Sequence, residues 1–197
     1  MKVFVAGATG VIGVRLVPLL RDAGHEVIGM TRTPARAAAL RELGATPVVG
    51  DVYDLDSLTA AVVSAAPDLV IHQLTDLPDD RALISTHSAA NARIRRVGTA
   101  NLLAAARAAD VSRFIAQSVA WELPGDGAVA IREFEQTVLD ASGVIIRYGQ
   151  FYGPGTYYED ELPSPPRIHI DAAAARTLKA LDMETGVLTI VEATDGR

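Results

Sequence analysis

The chain contains no cysteine among its 197 residues. Without thiols it can form neither a disulfide framework nor a thiolate metal site, and a reducing compartment suits it. We therefore expect a cytoplasmic protein. Its four histidines are too few and too scattered for a metal cluster. A hard-metal loop at Asp76, Asp79 and Asp80 would need more oxygen ligands at a defined spacing, so we expect no metal.

Long apolar runs and clusters of basic charge are also scarce. Residues 3–20 are apolar, but glycines, an arginine and a proline interrupt them, so they predict neither an export signal nor a membrane span. The formal net charge of −6 disfavours nucleic-acid binding, because phosphate recognition needs a basic face. The arginines are scattered except for Arg93, Arg95 and Arg96, a trio that predicts the solvated side of a helix.

Short apolar runs alternate with longer alanine- and leucine-rich runs along the chain. This order is typical of repeated strand–helix–strand units, which form a parallel sheet. The strands are continuous apolar runs, as expected where helices cover both faces of a sheet. We predict an α/β fold with a doubly wound, mostly parallel sheet, which is a Rossmann fold. The predicted strands are residues 2–6, 26–30, 46–49, 68–72, 113–117, 144–147 and 187–191.

Glycine and proline mark the ends of one early helix. Thr33 followed by Pro34 predicts an N-cap and a first helical residue. Gly44 follows the last apolar residue and predicts the end of the helix. The helix is therefore expected over residues 34–43.

The last quarter of the chain is richer in glycine and proline at its start. Glycines and prolines across residues 149–166 exclude a long helix and predict a functional loop. A last helix is expected over about residues 171–181, with Asp171 as its cap. We predict one domain, residues 1–197, in which residues 148–197 form a reduced substrate-binding portion with a loop, a short helix and a strand.

The segment VFVAGATGVIGVRLVPLL joins a buried strand to an amphipathic helix through three glycines. Glycine suits these positions because the turn must be tight, the backbone must approach a pyrophosphate, and the helix must pack closely on the strand. The N–H groups and dipole of the helix N-terminus then face the phosphates. This order of elements predicts a dinucleotide site. Its residues are Gly7, Thr9, Gly10, Val11, Ile12 and Gly13.

The end of the second strand bears on the choice between NAD and NADP. An acid there binds the ribose 2′-hydroxyl of NAD, whereas an arginine accommodates the 2′-phosphate of NADP. Thr31 stands where the acid would be, and Arg32 and Arg36 follow it. We predict NADP as the cofactor, with NAD as the alternative in which both arginines are ordinary surface charges.

Five segments together resemble the extended and atypical short-chain dehydrogenase/reductase superfamily, specifically its NAD-dependent epimerase/dehydratase proteins. They are GATGVIG, GDVYD, VIHQLT, VGTANLLAAARAADVSRFIAQSVA and RYGQFYGPGT, and they cover most of the chain. The resemblance implies further cofactor contacts after the third, fourth and sixth strands. These contacts are Asp51 and Val52 beside the adenine, Leu74 and Thr75 beside the pyrophosphate and nicotinamide ribose, and Gln150 and Phe151 in the loop past the nicotinamide.

The resemblance also implies that Ser118, at the end of the fifth strand, hydrogen-bonds the substrate oxygen in hydride chemistry. Its usual partner is a YxxxK pair, whose lysine lowers the pKa of the tyrosine so that it can exchange a proton. Alignment by Glu135 puts Gly127 and Ile131 at these two positions, so the pair is missing, and helical spacing predicts Ile131 in the core. Tyr148, expected in the loop after the sixth strand, is the substitute acid candidate, and the alternative is a packing role.

Two functions agree with these features. One is an NADP-dependent oxidoreductase or epimerase that acts on a small carbonyl or hydroxyl substrate by hydride transfer. The other is a catalytically silent NADP-binding sensor, which the missing YxxxK pair favours. The role of Arg95, where the family often has asparagine, stays open between catalysis and structure. Because superfamily members commonly pair through their fourth and fifth helices, we expect a homodimer through the faces of residues 85–109 and 128–141.

Overall fold

A seven-stranded parallel sheet forms the centre of the computed structural model, which describes residues 1–193. Its strands are β1 (Lys2–Ala6), β2 (Glu26–Thr31), β3 (Thr46–Val49), β4 (Leu69–His72), β5 (Arg113–Val119), β6 (Val144–Tyr148) and β9 (Gly186–Ile190). A separate two-stranded sheet consists of β7 (Gln150–Tyr152) and β8 (Arg167–His169). The sheet has the order β3-β2-β1-β4-β5-β6-β9, and all of its neighbouring strands run parallel. The predicted doubly wound fold is confirmed.

Helices cover both faces of this sheet. They are α1 (Gly13–Asp22), α2 (Ala37–Glu42), α3 (Leu55–Ala65), α4 (Ser88–Arg93), α5 (Thr99–Ala108), α6 (Gly125–Asp140) and α7 (Ile170–Thr177). Successive side chains of β1 point to opposite faces and enter two separate hydrophobic cores. The first core also contains side chains of α1, α2 and α7, and the second contains side chains of α3, α5 and α6. None of the helices within residues 1–193 is long and apolar enough to cross a lipid bilayer.

The segment predicted as a helix over residues 34–43 consists of two parts. Pro34–Arg36 is a 3₁₀ helix, and α2 follows it. The reason is local, since the N–H of Arg36 donates to the carbonyl of Thr33 at 2.9 Å, an i→i+3 bond that tightens the first turn. The Thr33 side chain makes no capping hydrogen bond.

The cap of the last helix is His169 and not the predicted Asp171. His169 has extended backbone angles, and its side chain accepts a hydrogen bond from the N–H of Asp171 at 3.3 Å. Asp171 already lies inside α7, and its carboxylate pairs instead with the Arg15 guanidinium of α1 at 2.6 Å. The predicted loop over residues 149–166 is also partly ordered, because β7 and β8 pair at its two ends.

We expect Leu16→Ala to lower the free energy of unfolding by about 2–5 kcal/mol, because Leu16 of α1 is fully buried and the truncation leaves a cavity. Leu162→Ala is the matched control, since that leucine is 60% exposed and should change stability by less than about 0.5 kcal/mol. Urea unfolding measures both values. Equal losses in the two variants would contradict the described packing of α1.

Candidate functional site

The glycine turn follows β1 where the order of the sheet reverses, with β2 on one side of β1 and β4 on the other. Ligands of doubly wound sheets bind at such a switch point. Gly7 has φ +90°, and a β-carbon there would lie 2.8 Å from the carbonyl carbon of Gln73. A β-carbon on Gly13 would lie 2.3 Å from the carbonyl oxygen of Gly7. Both positions therefore require glycine, as predicted for close packing of the turn.

The first turn of α1 leaves backbone donors free. The N–H of Val14 bonds to the carbonyl of Gly10, and that of Leu16 bonds to Ile12. The N–H groups of Val11 and Ile12 have no acceptor within residues 1–193, and no side chain caps the helix. Free donors at the positive end of a helix dipole attract phosphate. The turn therefore fits the pyrophosphate of a dinucleotide.

No carboxylate belongs to the end of β2, where Thr31 is 4% exposed. The Thr31 and Thr9 hydroxyl oxygens lie 3.3 Å apart and join the strand end to the glycine turn. Arg32 donates from Nη2 to Asp76 at 3.1 Å, and nearly half of its side chain is exposed. Arg36 is exposed. Arg32 and Arg36 therefore present two exposed guanidinium groups in the segment that follows β2.

The segment after β3 lies against α5. Asn101 of α5 donates to the carbonyl of the buried Val52 at 2.9 Å, and Asp51 accepts the N–H of Tyr53 at 2.9 Å. The Tyr53 hydroxyl is enclosed and has no partner within the described chain. The Arg93 guanidinium lies 4.0 Å from the centre of the Tyr53 ring. These contacts hold the predicted adenine segment in place.

At the end of β4, the buried His72 bonds through both ring nitrogens. Nδ1 accepts the N–H of Leu74 at 3.1 Å, so Nε2 carries the proton and donates to Thr99 Oγ1 at 3.0 Å. Burial, and then the charge of Arg95, lower the pKa of His72 to about 3. The ring is therefore neutral at physiological pH and positions the chain at Leu74 and Thr75, two predicted cofactor contacts that are half-buried.

A buried carboxylate, Glu135 of α6, joins the ends of β5 and β6. Ser118 donates its hydroxyl to Glu135 Oε1 at 2.6 Å, and Arg147 donates to both carboxylate oxygens at 3.0 and 2.5 Å. Ser118 is 3% exposed, so its hydroxyl faces this carboxylate and not an open pocket. Sequence reasoning missed the partnership of Glu135, although an acid on the same helical stripe as Ile131 and Val138 signals a buried polar group.

Tyr148 does not lie in a loop as predicted. It is the last residue of β6, where it pairs with both Val119 and Ile190, and it is 2% exposed. Its hydroxyl lies 2.6 Å from Thr177 Oγ1 inside the first core, and burial raises the pKa of Tyr148 to about 12. This geometry supports the packing alternative for Tyr148.

The two positions to which alignment by Glu135 assigns the family's YxxxK pair lie on α6. Gly127 has no side chain, and Ile131 has no proton to exchange. Ile131 is half-buried, while Phe134 and Val138 on the same stripe are fully buried, so the predicted core stripe holds only in part.

The predicted solvated arginine trio is wrong for Arg95, which is 5% exposed. The reason is a π-helix, Ile94–Gly98, that turns the side chain inward. The guanidinium lies 5.5 Å from the centre of the Phe134 ring. Arg93 is exposed as predicted, and Arg96 is partly exposed and pairs on the surface with acids of α6.

The predicted substrate loop is tied to the cofactor turn and to residues 78–81. Arg15 of α1 donates to the carbonyls of Val11 and Pro154 at 2.9 and 2.5 Å. Arg81 pairs with Glu161 at 2.7 Å. An open surface depression of about 600 Å³ lies between residues 79–81 and 156–161.

The predicted cofactor contacts in β7 have partners inside the protein. The Gln150 side chain donates to the carbonyl of Ser164 at 2.8 Å and accepts from the Tyr158 hydroxyl. Phe151 packs on Tyr148, with 5.2 Å between the ring centres. These two residues therefore support the loop over residues 149–166 with their side chains.

The fold and the glycine turn define a Rossmann-type dinucleotide-binding protein. A family profile described as NAD(P)H-binding matches residues 7–140. The chain belongs to this NAD(P)H-binding family, and the predicted membership of the extended and atypical short-chain dehydrogenase/reductases is confirmed. It is an NAD(P)-binding protein of the oxidoreductase and epimerase type.

Two relatives represent the curated proteins that the chain resembles. A 3-diazoavenalumate denitrifying reductase of a Streptomyces species is 35% identical over 235 positions, which cover 98% of this chain and 76% of that protein. These positions outnumber the residues of this chain, so the relative has segments that this chain lacks. A 3-beta-hydroxysteroid dehydrogenase of Mycolicibacterium neoaurum is 32% identical over 116 residues, which cover 58% of this chain and 31% of that protein.

Solved structures of low identity share the fold. A UDP-glucose 4-epimerase of Thermus thermophilus in complex with NAD has a TM-score of 0.80 at 19% identity, over 98% of this chain and 78% of that chain. The Bordetella bronchiseptica enzyme WbmH in complex with NAD+ has a TM-score of 0.76 at 19% identity, over 98% of this chain and 76% of that chain.

We expect Gly13→Ala to weaken NADPH binding by at least about tenfold, because the added methyl group displaces the turn that faces the phosphates. Gly127→Ala is the matched control, since a β-carbon there meets only Leu123 side-chain atoms at 3.5 Å. Nicotinamide fluorescence measures both affinities. Unchanged NADPH affinity in folded Gly13→Ala would contradict the assigned phosphate site.

The lowered pKa of His72 predicts a pH-dependent stability. The unfolded chain binds a proton near pH 6.5 that the folded chain takes up only near pH 3, so stability falls as the pH falls through this window. The slope due to His72 is at most about 1.4 kcal/mol per pH unit. Urea unfolding of wild type and His72→Gln at several pH values should show a weaker acid dependence in the variant. His25→Gln is the control, and equal curves for wild type and His72→Gln would sink this assignment.

Proposed function

We propose that this chain is an NADPH-preferring reductase that transfers hydride to a small electrophilic substrate, such as a carbonyl compound. The observation that carries the proposal is the turn at Gly7 and Gly13, which has no room for a β-carbon, beside free N–H groups at the start of α1. Reduction is favoured over epimerisation because the relative that shares almost the whole chain is named a reductase.

The glycine turn, the segment after β3 and the end of β4 each have a role in this proposal. The free N–H groups of Val11 and Ile12 bind the pyrophosphate, and the segment at Asp51 and Val52 contacts the adenine. A bound reduced nicotinamide supplies the hydride. His72 holds the chain at Leu74 beside the nicotinamide ribose.

The proposed substrate class follows from the side chains on α6. Gly127 and Ile131 cannot relay a proton, and Ser118 is engaged with Glu135. In this proposal, hydride acceptance proceeds without the tyrosine of a YxxxK pair. A strongly electrophilic carbonyl substrate meets this condition if the alkoxide that hydride addition forms takes its proton from water.

The preference for NADPH rests on charge at the end of β2. Thr31 offers a hydroxyl where NAD-specific proteins of this fold have a carboxylate. Arg32 and Arg36 are both exposed and can approach a 2′-phosphate. The contact of Arg32 with Asp76 is a partly exposed ion pair, which contributes about 0–1 kcal/mol and opposes rearrangement only weakly.

Titration with NADPH and NADH tests this proposal. We expect wild type to bind NADPH more tightly by about tenfold or more, and Arg32→Asp to reverse the preference, because the new carboxylate repels the 2′-phosphate and accepts from the ribose hydroxyl. Arg41→Asp is the matched control, since Arg41 is exposed on α2 and makes the same charge change. Failure of both dinucleotides to bind wild type would overturn the proposal.

Measurement of substrate turnover distinguishes the reductase from the alternative, a catalytically silent NADP-binding sensor. If the chain is a reductase, it should oxidise NADPH in the presence of at least one compound from a panel of small carbonyl compounds. Tight binding of both NADPH and NADP without oxidation by any compound would favour the sensor. The homodimer through residues 85–109 and 128–141, and the cytoplasmic location, stay predictions.

A further inference from the structure

Arg95 is a buried cation without a counter-ion in the part of the chain that the structure describes. It is 5% exposed, and burial lowers the pKa of its guanidinium to about 10, so it stays charged at neutral pH. Its Nε is enclosed and has no hydrogen-bond acceptor, and its terminal nitrogens make neither a hydrogen bond nor an ion pair within residues 1–193. A buried charge of this kind is costly unless something pairs with it.

The neighbours of Arg95 do not supply the missing negative charge. Phe134 offers only the face of its ring, and His72 is neutral. The Glu135 carboxylate acts on Arg95 through space, but both of its oxygens are bound by Arg147. One positive charge is therefore left over at this point of a chain whose net charge is −6.

The backbone around Arg95 is a π-helix in which the Arg95 side chain is buried. Residues Ile94–Gly98 form a π-helix between α4 and α5, an arrangement that recurs at functional sites. A β-carbon on Gly98 would lie 3.3 Å from a Val52 methyl group, so the helix packs closely on the predicted adenine segment. Thr99, directly after it, holds His72 at the end of β4. Arg95 thus lies between the cofactor segment and α6, where the proton-relay residues are missing.

We infer that Arg95 binds a carboxylate of the substrate. The guanidinium offers a planar set of donors that matches a carboxylate, and its terminal nitrogens are the part that is not fully enclosed. The inference rests on the proposed function and narrows its substrate class to small organic acids. The other source of an anionic oxygen is a cofactor phosphate, and the test below separates the two.

The test uses calorimetric titration of the full chain, with and without NADPH. The probes are formate, acetate and benzoate, each beside its uncharged amide. Wild type should bind at least one acid more tightly than its amide. Arg95→Met should lose that preference by about 30-fold or more and leave NADPH affinity unchanged, while Arg95→Lys should keep part of it. Arg96→Met is the matched control, because Arg96 pairs with acids on the surface and should leave acid binding unchanged.

A second readout separates a binding role from a structural one. Removal of an unpaired buried charge should leave the melting temperature of ligand-free Arg95→Met unchanged or raised. A marked drop in melting temperature of Arg95→Met, with retained acid preference, would overturn the inference in favour of packing on Phe134.

Other outcomes are equally decisive. No preference of wild type for any acid over its amide would overturn the inference. So would a loss of NADPH affinity in Arg95→Met, since it would assign the anion to the cofactor. If wild type binds neither NADPH nor NADH, the proposed function fails, whereas acid binding measured without cofactor still stands or falls by itself.

Discussion

The close approach of the glycine turn to the end of β4 is the constraint on which the site depends. Gly7 leaves no space for a β-carbon against the backbone of Gln73, and Gly13 leaves none against Gly7 itself. These contacts set the start of α1 at the switch point of the sheet, where the N–H groups of Val11 and Ile12 have no acceptor within residues 1–193. Arg15 then extends the arrangement, because it joins α1 both to the loop at Pro154 and to α7.

Beyond the turn, the buried ionisable side chains avoid an unpaired charge, with one exception. His72 stays neutral because it is buried. The Glu135 carboxylate forms an ion pair with the Arg147 guanidinium and accepts a hydrogen bond from the Ser118 hydroxyl. Arg95 is the exception, since its charge has no partner within residues 1–193. Phe134 and Glu135 of α6 thus lie close to two arginines, since the Arg95 guanidinium faces the Phe134 ring and the Arg147 guanidinium pairs with Glu135.

The sequence predicted the fold well because hydrophobic periodicity and glycine chemistry are local. All seven strands of the main sheet were expected, and their ends differ from the predicted ones by at most two residues. Predictions of single side chains were weaker. Tyr148 was wrongly placed in a loop, and the bond between Ser118 and Glu135 was not predicted, because the position of a residue at a strand end does not reveal which neighbour its hydroxyl contacts. Both hydroxyls bond to residues distant in the chain, Glu135 and Thr177.

The sequence by itself determined the class of fold, the glycine-rich turn after the first strand, the absence of an acid at Thr31, and the glycine and isoleucine at positions 127 and 131. These are properties of residue type and order along the chain. Only the tertiary structure decided that Arg95 is buried, that Glu135 is paired and that Tyr148 is inaccessible. The physical reason is that the burial and pairing of a side chain depend on which helices and strands pack together. The free energy of a charged group depends in turn on how far it is buried and on its neighbours.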